Sequence, residues 1–213
     1  MILSQNIEHY IESLCELEST ELQQLNVFTQ ENIHGSHMIS GRYQGRLLSM
    51  ISKLIRPKNI LEIGTFTGYS ALCLAEGLQT DGQLISLELN ENLKPLHEQY
   101  LAKNPQIKVI YGKALESLQK IDAMFDLVFI DADKGSYLDY YEEVMKKLNS
   151  GGVILTDNIL WRGKVAESTI DDTDRHAKII KTLQEFNQYL HQDSRVEHLI
   201  LPIRDGISIA RKK

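Results

Sequence analysis

The chain has 213 residues, a net charge of −6, 42% hydrophobic residues and 24% charged residues, the balance of an ordinary globular protein with room for one sizeable core. No apolar run reaches the roughly 18 residues that span a bilayer, and the acidic, amphipathic start MILSQNIEHYIESL resembles neither a secretory signal nor a transit peptide, so a cytoplasmic location with no membrane partner is expected. The negative charge disfavours a large nonspecific nucleic-acid footprint.

Residues 3–56 carry helical spacing, with Ile7, Ile11, Leu14 and Leu17 on one face and SGRYQGRLLSMISKLI repeating the pattern before Pro57. The period then changes. Strand-like runs fall at 59–63, 83–88, 107–111, 126–131 and 152–156, separated by helical stretches at about 68–78, 91–103, 114–121 and 136–149. Such alternation implies right-handed crossovers and a parallel sheet covered on both faces. After a helix at about 172–190, RVEHLILPI and GISIAR are joined across Arg204-Asp205, a link short enough only for an antiparallel hairpin. The expectation is an α/β chain with a doubly wound, mostly parallel sheet and an antiparallel C-terminal strand. It forms one domain, 1–213, in which 1–56 is a helical extension and 57–213 the core. Cys15 and Cys73, far apart in helix-like segments, read as buried free thiols.

In Glu62-Ile63-Gly64-Thr65-Phe66-Thr67-Gly68-Tyr69-Ser70, Gly64 ends the first strand and Gly68 opens the next helix. Glycines there let a ligand approach the backbone, but the G-x-x-x-G spacing departs from the dinucleotide pattern, and Phe66 crowds the turn against a pyrophosphate. Glu88, ending the second strand, is placed for ribose hydroxyls. Glu62 adds a carboxylate suited to a cationic or amine-bearing cofactor.

Asp131 closes the fourth strand and Asp157-Asn158 the fifth, where α/β sheets bind ligands. Two carboxylates and an amide suit a hard cation, Mg²⁺ before Mn²⁺ or Ca²⁺, with about three positions left for water and a bidentate diol. The bland alternative is that these residues cap the following helices. Lys134 lies three residues after Asp131. Beside a dication and a cationic cofactor it would be driven toward its free amine and could deprotonate a hydroxyl that the metal acidifies.

The turn LEIGTFTGYSAL resembles motif I of class I S-adenosylmethionine-dependent methyltransferases. From about Met38 to Arg211 the chain resembles the cation-dependent O-methyltransferases, the group containing caffeoyl-CoA and catechol O-methyltransferases. MISGRYQGRLL, GKALE, DLVFIDADKGSYLDYYE, GGVILTDNILWRGKV and DGISIARK carry the likeness. It implies a seven-stranded Rossmann-like methyltransferase fold and a homodimer, with the N-terminal helices as candidate interface and acceptor wall. It implies S-adenosylmethionine contacts from Ser40, Glu62, Gly64, Thr65, Ser70, Glu88, Ala114, Asp131 and Asp133, with Ala114 beside the adenine and Asp133 on the methionine amine. Met38 stands close to the reacting end or in the core. Lys134 matches the general base.

The acceptor side is quieter. Ile159–Asp172 and the N-terminal helices are the expected walls. Trp161 either stacks on an aromatic ring or forms a lid or dimer contact. Lys134, Asn158, Trp161 and Arg162 are the expected substrate contacts, and Arg162 or Arg204 could pair with a substrate carboxylate. Arg162 replaces an asparagine of the plant caffeoyl-CoA enzymes, Gln44 and Arg46 replace a common acid and glutamine, and an N-terminal CoA-contacting lysine has no counterpart. These departures favour a small free catechol, such as caffeate or protocatechuate, over a CoA thioester. The alternative is methylation of 5-hydroxyuridine in tRNA, which related bacterial proteins perform.

Overall fold

The computed structural model describes residues 5–167, 169–170 and 173–213, with Gln5 described by its backbone alone. Three helices come first: α1 (Gln5–Leu14), α2 (Thr20–Asn32) and α3 (Gly41–Ile55), the last preceded by a 3-10 turn at Ser36–Met38. Strands and helices then alternate as β1 (Asn59–Ile63), α4 (Tyr69–Ala75), β2 (Gln83–Glu88), α5 (Lys94–Tyr100), β3 (Ile107–Tyr111), α6 (Ala114–Lys120), β4 (Phe125–Ile130), α7 (Tyr137–Lys146) and β5 (Leu148–Asp157). α8 (Ala177–Gln192) leads to β6 (Val196–Leu201) and β7 (Ile207–Lys212).

The seven strands lie in the order β3-β2-β1-β4-β5-β7-β6. β7 runs antiparallel between β5 and β6, and the remaining pairs are parallel. The expected doubly wound sheet with a terminal hairpin is therefore present. Its order reverses between β1 and β4, which opens a crevice above their carboxyl ends.

Burial on both faces explains the near-continuous apolar strands. On β4, Val128 and Ile130 join Leu61 and Ile63 of β1 under α6, α7 and α8. Leu127 and Phe129 join Ile60 on the other face with Leu22, Leu25 and Leu48. The N-terminal helices thus share a core with the sheet. β5 begins earlier than its apolar run suggests, because Leu148 already pairs with Phe125 across an irregular register before Leu127. α8 starts later than expected, at Ala177, after a turn in which Asp174 accepts the His176 N–H at 2.9 Å. Residues 171 and 172 lie outside the described residues. Cys73 is buried and free as expected, but Cys15 is only half-buried just past α1, where its carbonyl accepts from Arg42. No helix among the described residues is long and apolar enough to cross a membrane.

Candidate active site

The crevice holds a cavity of about 1630 Å³. That exceeds the ordinary range for one small ligand and leaves room for two side by side. Met38, Ser40, Gly64, Thr65, Ser70, Glu88, Ala114, Asp131, Asp133, Lys134, Asp157, Asn158, Trp161 and Arg162 all line it. Residues far apart in the chain therefore meet at one site. Met38 is 55% exposed, so it belongs to the cavity wall rather than to the core.

The turn after β1 forms one end. Gly64 has φ +101, and a Cβ there would lie 2.0 Å from the Asp131 carbonyl oxygen. The glycine is thus required by the close approach of β1 to the chain leaving β4, before any ligand is considered. Phe66 has φ 47, an uncommon conformation for a bulky residue. Two contacts hold it there. Its N–H donates to Glu88 Oε2 at 2.7 Å, and its carbonyl meets His97 Nε2 at 2.7 Å. A carbonyl only accepts, so Nε2 carries the proton. In the neutral ring Nδ1 then accepts from Tyr111 Oη, 2.8 Å away. Burial pushes the His97 pKa down and favours that neutral form. Glu88 Oε1 accepts the Asn90 N–H at 2.7 Å, so both carboxylate oxygens are oriented by backbone while retaining lone pairs. His97 was not foreseen, because it lies within a helix whose spacing marks it only as an inward position.

Glu62 is the one expected contact that does not reach the cavity surface. It is fully buried behind the turn and accepts from Ser86 Oγ, which lies 2.5 Å from Thr65 Oγ1. Burial pushes its carboxyl up to about 8. The structure thus places it beneath the turn after β1.

The other end is built by β4 and β5. Asp131 lies one residue past β4, with its N–H on the Ile63 carbonyl at 2.9 Å. Its Oδ1 accepts from Lys134 Nζ at 3.0 Å, and the lysine ammonium sits 5.5 Å from the Tyr137 ring centroid. Asp157 ends β5 almost wholly buried. Its Oδ2 accepts from Gln44 Nε2 at 2.7 Å and its Oδ1 from the Asn158 N–H at 2.7 Å, while Tyr137 Oη donates to its carbonyl at 2.9 Å. Burial first, and then the Asp131 charge, hold its carboxyl well above the usual carboxylate range. Helix capping falls to Asp133 instead, which accepts from Gly135 N at 3.3 Å and Ser136 Oγ at 2.9 Å.

Two carboxylates that oppose each other's ionisation, one of them buried, make a donor set that a hard cation would relieve. Among the described residues no three His, Cys, Asp or Glu side chains form a metal cluster, so a cation here needs the Asn158 amide as its third protein donor. The residues fit that group. The oriented Glu88, together with Ser40, Thr65 and Asp133, which line the same cavity, fits a nucleoside-bearing cofactor with an amine.

At the mouth, the Trp161 ring lies 5.7 Å from His176 in an edge-on contact. Asp174 accepts from Lys164 Nζ and lies 3.3 Å from His176 Nδ1. Lys164, within the expected Ile159–Asp172 wall, lines the cavity, and so do Asp174 and His176, which lie beyond that segment and were not foreseen. Of the expected wall, residues 168, 171 and 172 lie outside the described residues. Arg204 turns inward, its Nη1 donating to the Ile39 carbonyl at 3.0 Å, to the Ser40 carbonyl and to Gln44 Oε1 at 3.3 Å. Arg46 pairs with Glu76 Oε1 at 2.6 Å between α3 and α4 and does not line the cavity, so its departure from a glutamine says nothing about the acceptor.

Comparison with known proteins decides the family. An O-methyltransferase family model matches residues 12–213. The chain belongs to that family. It is 35% identical over 178 residues to a caffeoyl-CoA O-methyltransferase of Populus kitakamiensis, covering 79% of this chain and 76% of that protein. Tricin synthase 2 of Oryza sativa subsp. japonica is 31% identical over 207 residues, covering 92% of this chain and 70% of that protein. Among solved structures, the SAH-bound Podospora anserina methyltransferase PaMTH1 superposes with a TM-score of 0.88 at 28% identity, covering 98% of this chain and 94% of that one. An O-methyltransferase from Bacillus cereus in complex with SAH gives a TM-score of 0.85 at 28% identity, covering 98% and 97%. This O-methyltransferase is thus S-adenosylmethionine-dependent, with the Rossmann-like methyltransferase fold expected from its sequence.

Proposed function

We propose that the chain transfers the methyl group of S-adenosylmethionine to one hydroxyl of a vicinal-diol aromatic, and that it needs a divalent cation, Mg²⁺ first, to do so. The carrying observation is the meeting of Asp131, Asp157, Asn158 and Lys134 in the cavity that also contains the Glu88 turn. When bound, the cofactor supplies an electrophilic methyl and the cation acidifies a chelated hydroxyl.

Asp131, Asp157 and Asn158 would hold the cation, and Glu88, Ser40 and Asp133 would orient the cofactor. Lys134, held by Asp131 and against Tyr137, removes the proton from the hydroxyl. Its neutral amine is the working form, so its ammonium must first release a proton to solvent. Holding donor and acceptor in one cavity makes the transfer effectively unimolecular. Trp161, beside His176, covers the acceptor ring and sheds water from it. The exposed Tyr10 and Leu14 of α1 with Met50 and Leu54 of α3 support the homodimer expected from the resemblance.

The test is methyl transfer from labelled S-adenosylmethionine to caffeate, protocatechuate and the matching monophenols. Turnover of the diols alone is expected. Equal turnover of monophenols would refute the chelated diol, and turnover only of tRNA bearing 5-hydroxyuridine would move the assignment to the RNA acceptor.

A further inference from the structure

Gln44 sits on the first turn of α3 and is fully buried. Its Nε2 donates to Asp157 Oδ2 at 2.7 Å, and its Oε1 accepts from Arg204 Nη1 at 3.3 Å. Together these contacts define which way the amide points. A guanidinium only donates, so it must meet the amide oxygen, and the NH₂ group is then left for the carboxylate. The flipped amide would set donor against donor and acceptor against acceptor in a buried place, losing both bonds.

Arg204 is itself anchored. It occupies the turn between β6 and β7 with φ 50, and the same nitrogen donates to the carbonyls of Ile39 and Ser40. Its neighbour Asp205 accepts the Arg162 N–H through its side chain and the Leu160 N–H through its carbonyl, the latter at 2.9 Å. Gly206 follows with φ +89, and a Cβ there would lie 2.4 Å from Leu160 Cγ. One hairpin turn therefore touches the segment before α3, the amide on Asp157 and the loop after β5.

We propose that Arg204 and Gln44 form a positioning relay, in which the hairpin turn, acting through the Gln44 amide, holds the Asp157 carboxylate in the orientation that takes a divalent cation. The relay rests on the cation reading above. Asp157 Oδ1 is occupied by the Asn158 N–H at 2.7 Å, so the bond from Gln44 to Oδ2 is the second point that sets the carboxylate plane. Each oxygen keeps a lone pair for the ion. The amide does this without a third negative charge, which an acid at position 44 would set against Asp157. Partners that orient a ligand in this way tune ion affinity, and losing one costs about ten- to a hundredfold.

The experiment is calorimetric titration of the full chain with Mn²⁺, run beside titration with S-adenosylhomocysteine and a melting curve. Gln44→Leu is expected to weaken Mn²⁺ binding at least about tenfold while leaving the affinity for S-adenosylhomocysteine unchanged. Arg204→Met, which frees the amide to turn without removing it, is expected to weaken Mn²⁺ binding less. The double variant should bind Mn²⁺ no more weakly than Gln44→Leu, because the two residues act in series. If Gln44→Leu does not fold, Arg204→Met alone must still weaken Mn²⁺ binding. Unchanged Mn²⁺ affinity in either folded single variant, or additive losses in the double, would overturn the relay. A wild-type chain that binds no Mn²⁺ would instead bring down the cation reading, and the relay with it.

Discussion

The two ends of the cavity are held together in different ways. At the cofactor end, the strained Phe66 is fixed by Glu88 and His97, 22 and 31 residues away along the chain. At the acceptor end the corresponding contacts span 113 residues from Gln44 to Asp157 and 165 from Arg204 to Ile39. The backbone differs too. Six described non-glycine residues have positive φ, and four of them, Asn158, Trp161, Arg162 and Arg204, lie at the acceptor end. Such conformations persist only where surrounding structure over-determines them, and they cluster at functional sites. The Phe66 turn is held by the next strand and helix, β2 and α5, whereas the contacts on Asp157 join α3 and the C-terminal hairpin to β5 and exist only once the whole sheet has closed.

Loss of the proposed cation donors should show this division most sharply. Asp131→Ala is expected to lower turnover by about 10³-fold or more, the scale of several kcal/mol of lost charge stabilisation. S-adenosylhomocysteine should still bind by calorimetry, because the Glu88 turn does not depend on that carboxylate. Substantial retained turnover would remove Asp131 from the chemistry. Lys134→Met should reduce kcat by about 10²-fold with little change in cofactor affinity. An unchanged kcat would mean that another group takes the proton.

The cofactor end should respond in the opposite sense. His97→Phe removes the bond to the Phe66 carbonyl and leaves the Tyr111 hydroxyl without its partner, at a cost of roughly 1–3 kcal/mol. The melting temperature should drop and S-adenosylhomocysteine should bind more weakly, while Mn²⁺ affinity stays at the wild-type level. A loss confined to Mn²⁺ would erase the distinction between the two ends.

The smallest effect on turnover concerns Glu62, whose influence is on stability. Its folded-state pKa is raised, so the fold favours the protonated form. The associated stability is complete below the ordinary carboxylate value and is lost as pH rises to about 8. Urea midpoints should therefore decline across that window, and Glu62→Gln should flatten the decline. A wild-type slope that survives the substitution would place its source elsewhere.

This division also explains what could be read from the sequence. Strand and helix periods depend on near neighbours, so the alternation, the terminal hairpin and the positions of Gly64, Glu88, Asp131 and Asp157 were all legible. Glu62 was read as a cavity carboxylate because its place beside the turn was visible, but its burial under Ser86 was not. Arg204 was read as a cation that could pair with a substrate carboxylate, whereas the fold turns it onto Ile39, Ser40 and Gln44. Lys164 fell within the expected wall, but its pairing with Asp174 and His176 left no trace, since nothing periodic links those positions. Each of these missed features depends on contacts made only in the assembled fold.

The central claim is that a cation held by Asp131, Asp157 and Asn158 makes the acceptor hydroxyl reactive. The most direct measurement is protocatechuate methylation by the wild-type chain in EDTA, followed by Mg²⁺ titration into the same sample. Turnover should disappear in EDTA and return with Mg²⁺ in a saturable curve. Methylation that continues undiminished in EDTA would contradict the claim and leave the two carboxylates with a purely structural role.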